Sequence, residues 1–430
     1  MIKKDTLLFR KKISQHFVHF MNQQNINYFF LGDISYFPSK IMSDLDFYIN
    51  FEKYNDLKKI FKKFTKKFNL EISNVIRHEY NSYYIILSKK IKNDFYFIAF
   101  DVCNSFVIKS RKILDFKNSK KILIKKNKIK YFIPSNSYLF YYYLIKKINK
   151  NDINIKSFTF LKKIFLKLKE KDFKNLINDN SYRELAKIFY SNNIKIFKKK
   201  RSKLKDNLIK QHRRDYFNEF KRIASRLKFK TGLHITILGI DGSGKSTQIN
   251  YLKKSNFVQL FREVYIQHLY TRNITKKHIQ IPYTKNNYGY TLSLIKIFYL
   301  YINFIVNFLF VICPKKIKST LVINDRNHQD VVIDPYRYRI GKFHKLLQFI
   351  FKLIPDADLT IYLDVNAKKL ISRKNELSLK KVIELSKNYN NLIFNCKYTK
   401  IKSDKKINLV NFEIKNNILR LMNNKNLKIN

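Results

Sequence analysis

An α/β fold is predicted for this chain: a C-terminal parallel sheet flanked by helices, an N-terminal α+β region, and a basic helical connector between them. Three observations predict it. From Leu233 onward a strand–loop–helix pattern repeats, as expected for a parallel α/β domain. Residues 1–150 alternate helix-like and strand-like runs, with Tyr28–Leu31, Asp46–Ile49 and Phe95–Asp101 reading as strands. Residues 151–228 place apolar residues at helical spacing within Lys-rich surroundings, as in Phe160-Leu161-Lys162-Lys163-Ile164-Phe165. The expected parts are therefore 1–150, 151–228 and 229–430.

The chain is long enough for each part to bury a core, since it has 430 residues of which 45 % are hydrophobic. The net charge of +57 would suit a polyanionic partner, nucleic acid or anionic membrane. The excess is spread along the whole chain with abundant Asn, Ile, Tyr and Phe, so base-composition drift is the favoured cause and nucleic acid is not the favoured partner. The basic run Lys198-Lys199-Lys200-Arg201 reads as a solvated helix face. Cys103, Cys313 and Cys396 lie far apart, without zinc or disulfide spacing, which fits a reducing cytoplasm. The apolar stretch Leu292–Cys313 is long enough to span a membrane. A buried core helix is expected instead, because the run leads directly into the strand Thr320–Asn324.

The motif with the most chemistry is Gly239-Ile240-Asp241-Gly242-Ser243-Gly244-Lys245-Ser246-Thr247, preceded by the strand His234–Leu238 and followed by a helix opening at Gln248. It matches G-x-x-x-x-G-K-[ST] in the required context. Glycines let backbone N–H groups close around phosphate oxygens, and the helix N-terminus adds partial positive charge. Lys245 is expected on the β- and γ-phosphates of ATP, and the Ser246 hydroxyl on Mg²⁺. Four of the seven glycines in the chain fall at 232, 239, 242 and 244, so a sequence poor in glycine keeps it where a phosphate needs it.

Gly239–Gln248 resembles the opening of thymidylate kinases, whose loop reads G-x-D-G-x-G-K-S-T-Q. The resemblance implies that Asp241 contacts the acceptor. Leu321–Asn324 followed by Asp325-Arg326 resembles the family's D-R motif, which implies an acid near Mg²⁺ and the acceptor hydroxyl, and an Arg that holds acceptor phosphate. Leu359–Asp364 resembles a later family strand, with Arg373 where the lid begins; a lid Arg could neutralise charge on the transferred group. The family's R-E-P-G-type run is replaced by His268-Leu269-Tyr270-Thr271-Arg272-Asn273. Asp325-Arg326-Asn327-His328-Gln329-Asp330 and Asp334-Pro335-Tyr336-Arg337-Tyr338 instead look like a form found in bacterial thymidylate-kinase-like proteins of surface-polysaccharide gene clusters. His328, Asp330, Arg337 and Tyr338 are accordingly expected to meet an acceptor's hydroxyls or phosphate. A sugar or sugar phosphate is expected ahead of dTMP.

In the N-terminal part, Gly32-Asp33 is followed by Asp44-Leu45-Asp46 and a hydrophobic strand, and Asp101 ends a later strand. Alternate strand residues share a face, so the three acids could converge on a hard cation. The arrangement resembles the nucleotidyltransferase fold, which implies Mg²⁺ at Asp44, Asp46 and Asp101. That fold's usual Gly-Ser pair is Gly32-Asp33 here. The favoured function is an ATP-dependent kinase acting on a small nucleotide or sugar acceptor. The alternatives are nucleotidyl transfer in the N-terminal part with a regulatory kinase half, or a non-enzymatic basic nucleic-acid-binding ATP switch. A homodimer is left open.

Overall fold

The computed structural model describes residues 4–173, 176–268, 286–373, 377–391 and 398–427. The chain divides near residue 226 into two compact units.

The first unit opens with α1 (Lys4–Gln23), whose Phe9, Ile13, Phe17, Phe20 and Met21 recur at helical spacing and are buried. There follow β1 (Tyr28–Phe30), β2 (Leu45–Ile49), α2 (Tyr54–Phe68), β3 (Glu71–Glu79), β4 (Ser82–Ile91) and β5 (Asp94–Cys103). These strands form one sheet in the order β1-β2-β5-β4-β3. β1 pairs antiparallel with β2, whereas β2 runs parallel to β5 and sets Asp46 opposite Asp101. The core beneath is aromatic. Phe17 is fully buried and meets the rings of Phe47, Phe61, Phe64 and Phe100 at centroid distances of 5.4, 5.2, 5.0 and 4.5 Å.

Two hairpins come next, β6 (Ser105–Ile108) with β7 (Arg111–Asp115) and β8 (Lys121–Lys126) with β9 (Ile129–Pro134). They lead into α3 (Asn136–Lys150). The expected connector is helical: α4 (Ile155–Phe165), α5 (Asp179–Tyr190), α6 (Ile194–Lys205) and α7 (Tyr216–Lys228). Leu161, Phe165, Phe189 and Phe197 join a core shared with α3. The basic run lies on α6; Lys198 and Lys199 are exposed as a solvated face would be, whereas Lys200 is half-buried and Arg201 turns inward, its Nε donating to Ile148 O at 2.9 Å.

The second unit is built on β10 (Leu233–Leu238), α8 (Lys245–Lys254), β11 (Glu263–His268), α9 (Tyr290–Asn307), α10 (Cys313–Ile317), β12 (Thr320–Asp325), α11 (His328–Ile333), α12 (His344–Phe351), β13 (Leu359–Asp364), α13 (Ala367–Arg373), α14 (Leu379–Asn390), β14 (Tyr398–Lys402) and α15 (Ile407–Leu427). Among the described residues its five strands are all parallel, in the order β11-β12-β10-β13-β14, with helices on the sheet faces. This architecture is consistent with a P-loop kinase. All six residues of β10 are buried, as befits a central parallel strand covered on both faces. The loop after β10 and the end of β12 are thereby adjacent at the carboxyl ends of neighbouring strands, where open α/β sheets bind ligands.

The expectation of a buried helix over Leu292–Cys313 is met along one stripe only. Ser293, Ile297, Leu300, Phe304 and Asn307 of α9 are buried, and Ile297, Leu300 and Phe304 pack with Val331 of α11 and with Leu347 and Phe351 of α12. The opposite side is apolar and exposed, including Ile295 at 63 %, Ile302 at 58 % and Phe310 at 74 %. Hydropathy counts apolar side chains without asking whether neighbours exist to cover every face. By length and composition, the continuous helix Tyr290–Ile317 is sufficient to cross a membrane.

Replacing Phe17 by Ala leaves a cavity bounded by four rings that cannot all collapse into it. We expect the first unit to lose about 3–5 kcal/mol of stability. Chemical denaturation followed by circular dichroism measures it; a loss below about 1 kcal/mol would show that this cluster is not the organising core.

Candidate functional site

The loop after β10 turns on glycine. Gly244, the residue before α8, sits at φ 89°, in the left-handed region that L side chains rarely adopt. A Cβ on Gly239 would lie 2.5 Å from Ser243 Oγ. Gly242 lies between them. Lys245, the first residue of α8, folds back beneath the loop: Nζ donates to the carbonyls of Gly239 at 2.7 Å and Ile240 at 3.2 Å, and stands 3.5 Å from Asp241 Oδ1. Ser246 and Thr247 are exposed on the first turn of α8. Two outside contacts clasp the loop. Ser403, just past β14, donates through Oγ to Ser243 O at 2.8 Å. Arg373, at the end of α13, reaches Gly242 O at 3.4 Å.

Asp241 is the anion on which this site converges. Its carboxylate pairs with Arg326, with Arg337 at 3.0 Å and with Lys245. Burial alone would push this carboxyl up, but Arg326, Lys245 and Arg337 outweigh it and hold the pKa well below the usual range. Burial and the neighbouring Arg326 lower the pKa of Lys245. Arg326 has φ 73°, unusual for a side-chain-bearing residue, and its N–H donates to Ile237 O at 3.2 Å, tying the turn after β12 to β10. Asp325 is 6 % exposed; its Oδ2 lies 3.0 Å from His268 Nδ1, and its Oδ1 is buried without a hydrogen-bond partner among the described residues.

Two acceptor-facing expectations are corrected. His328 is fully buried, its ring edge-on to Phe304 and its Nε2 3.3 Å from Asp356. Asp330 is 2 % exposed and accepts hydrogen bonds from Tyr389 and, at 2.7 Å, from Tyr338, whose hydroxyl is thereby engaged within the protein. Polar residues two apart on the short helix α11 cannot all face one ligand, and burial claims these. Arg337 does face the site. The expected acceptor-pocket residues Leu269, Tyr270, Thr271, Arg272 and Asn273 lie outside the described residues, as does Cys396.

In the first unit, Asp44, Asp46 and Asp101 come together, with one carboxylate oxygen of each lying within 4.8 Å of the others. The β2–β5 register produces this meeting. Lys146 of α3 enters the same cluster, its Nζ 2.6 Å from Asp46 Oδ2 and 3.2 Å from the Tyr142 hydroxyl. Burial opposes a charge on Lys146, yet Asp46, Tyr142 and Asp101 prevail and raise its pKa well above the ordinary value. Burial, then Asp46, raise Asp101 to about 7. Gly32, at φ 79°, passes close by; a Cβ there would meet Asp46 Oδ2 at 3.4 Å. Asp33 is drawn elsewhere, to the N–H of Ser35 at 3.0 Å.

Four participants escape a reading of the sequence. Lys146 and Tyr142 are one helical turn apart, a spacing that could have flagged them. Tyr389 and Ser403 carry no local signal, since both reach the site only through long-range packing.

No family model matches this chain, and no curated protein does. Among solved structures, a thymidylate kinase from Ehrlichia chaffeensis superposes with a TM-score of 0.31 at 19 % identity, over 43 % of this chain and 96 % of that one. A thymidylate kinase from Candida albicans gives 0.33 at 17 % identity, over 45 % of this chain and 93 % of that one.

Asp101→Asn should stabilise the first unit at pH 8 and leave it nearly unchanged at pH 4, in metal-free buffer. With a folded pKa near 7 against 3.8 unfolded, folding favours the protonated acid. That contribution is fully present below pH 3.8 and is lost as pH rises through 7, so ionised Asp101 costs up to about 4 kcal/mol at pH 8. Thermal melts of both proteins across this range test it; parallel curves would place Asp101 in a solvated setting.

Proposed function

We propose that the second unit transfers the γ-phosphoryl group of ATP to a small nucleotide or sugar acceptor. The observation that carries this reading is the meeting of Lys245, Asp241, Arg326 and Arg337 at the carboxyl ends of β10 and β12. The loop 239–247 and the start of α8 would hold the phosphates through backbone N–H groups, and Lys245 would pass from loop carbonyls to the β,γ-bridge. Arg326 and Arg337 would hold an anionic group of the acceptor, Asp325 would orient the attacking hydroxyl and take its proton, and Arg373 would neutralise charge on the transferred group. Hard oxygen donors suit Mg²⁺: the exposed Ser246 hydroxyl and the Asp325 carboxylate, whose Oδ1 is buried without a partner among the described residues. Bound there, the ion would screen the phosphate charges.

For the parts of the chain, the proposal is a nucleotidyltransferase-like region 1–150, a connector 151–228 and a kinase region 229–430. Asp44, Asp46 and Asp101 support a second reading, a divalent-cation site for nucleotidyl transfer, because three carboxylate oxygens lie within cation reach of one another. Free thiols at Cys103 and Cys313 support a reducing, cytoplasmic setting.

Lys245→Ala should lower phosphoryl transfer at least about a hundredfold, the scale of removing a preorganised electrostatic group. A folded mutant with wild-type turnover, in a screen of nucleoside monophosphates and sugars, would sink the kinase assignment. In the same screen dTMP should be a poor acceptor, because acceptor choice depends on pocket polar groups, and an unpaired one can cost about 10⁴-fold. A dTMP kcat/KM of about 10⁴ M⁻¹s⁻¹ or more would restore a thymidylate kinase reading.

A further inference from the structure

We propose that Asp330, held by Tyr338 and Tyr389, is a positioning residue that fixes the Arg326 guanidinium for the acceptor's anionic group; the inference rests on the kinase reading above. Arg326 is a long side chain with four rotatable bonds, and an arginine that must meet a planar pair of anionic oxygens gains from being fixed beforehand. Its backbone is already constrained at φ 73°, a conformation that the fold must impose.

Asp330 stands behind the guanidinium. Its Oδ2 lies 3.9 Å from Arg326 Nε, too far for a hydrogen bond and close enough for a strong Coulomb attraction between two largely buried groups. Nη2 of the same guanidinium meets Asp241. The group is therefore held at Nε by Asp330 and at Nη2 by Asp241, which belongs to the loop that carries the donor.

Asp330 is itself immobilised. The Tyr338 hydroxyl donates to Oδ2 at 2.7 Å and the Tyr389 hydroxyl to Oδ1, so each carboxylate oxygen has one phenolic donor. Tyr338 comes from the turn after α11 and Tyr389 from α14. Tyr389 is stacked on Tyr362 of β13, with centroids 4.8 Å apart and planes 13° from parallel. A chain of contacts thus runs from β13 through Tyr362, Tyr389 and Asp330 to Arg326 and the loop. With Asp330 only 2 % exposed and both its oxygens engaged, it does not present itself to a ligand; it acts through Arg326.

The test uses the full chain and two calorimetric titrations. A non-hydrolysable ATP analogue, AMP-PNP with Mg²⁺, reads the donor loop. Inorganic phosphate, titrated into the AMP-PNP-bound protein, reads the anion grip of Arg326. Asp330→Asn, which keeps shape and loses charge, should weaken phosphate binding about tenfold, the loss of one charge-assisted interaction, and leave AMP-PNP binding unchanged. Tyr389→Phe and Tyr338→Phe should each weaken phosphate about threefold. Arg326→Ala should weaken it at least as much as Asp330→Asn, and the double variant should lose no more than Arg326→Ala alone, since a residue acting through Arg326 has nothing left to position. Wild-type phosphate affinity in Asp330→Asn, or a full additional loss in the double variant, would overturn the proposal. So would undetectable phosphate binding by the wild type when AMP-PNP binds. If Asp330→Asn does not fold, the two tyrosine variants decide, and unchanged phosphate affinity in both overturns the proposal. Failure of the wild type to bind AMP-PNP would instead count against the kinase reading.

Discussion

The second unit depends on one carboxylate. Three cations, Lys245, Arg326 and Arg337, are crowded into a part-buried space around Asp241, which pairs with all three. Like charges at this separation repel, and the surrounding protein screens them poorly. Asp241 makes their assembly tolerable, and it sits within the loop that would receive the donor phosphates. Removing one partner from such a group leaves the others uncompensated, which is costlier than never having built it. The parallel pairing of β10 with β12 is what delivers the loop and Asp325-Arg326 to the same place, so strand register and site electrostatics are one constraint seen at two scales.

The first unit solves a related problem with opposite sign. There three carboxylates converge and a lysine from α3 provides the compensating charge. The compensation is partial, since Asp101 still resists ionisation under the weight of its burial and of Asp46. The two units thus present complementary anomalies, a cation cluster around one acid and an acid cluster around one cation. Each is set at the end of a buried strand, where backbone geometry, rather than side-chain preference, decides which groups meet.

Much of this could be read directly from the residues. The loop at 239–247 declares itself because its glycines stand out in a chain that otherwise avoids glycine, and the strands before and after it are β-branched and apolar. Asp44, Asp46 and Asp101 were legible because alternation fixes which strand residues share a face. What stayed hidden depends on partners distant in sequence. Asp330 and His328 are polar residues beside a reactive motif, and only the packing of α14 and α9 shows that they are enclosed. The helix α9 misleads in the opposite direction: its outer side chains are as apolar as its inner ones, and composition cannot say which neighbours will be present. Tyr389 reaches Asp330 across 59 residues of chain, beyond any local pattern.

The aromatic composition has an optical consequence. The chain contains 29 tyrosines and no tryptophan, so phenol rings rather than indole dominate its ultraviolet emission. Tyr362 and Tyr389 stand stacked face to face beside Asp330 in the core of the second unit. Burial and the adjacent Asp330 carboxylate raise the pKa values of Tyr338 and Tyr389 well above that of a solvated phenol, so the site remains spectrally silent in an alkaline titration while phenols facing solvent turn to phenolate. The protein therefore carries its own chromophores at the point where α14, β13 and the glycine loop are tied together.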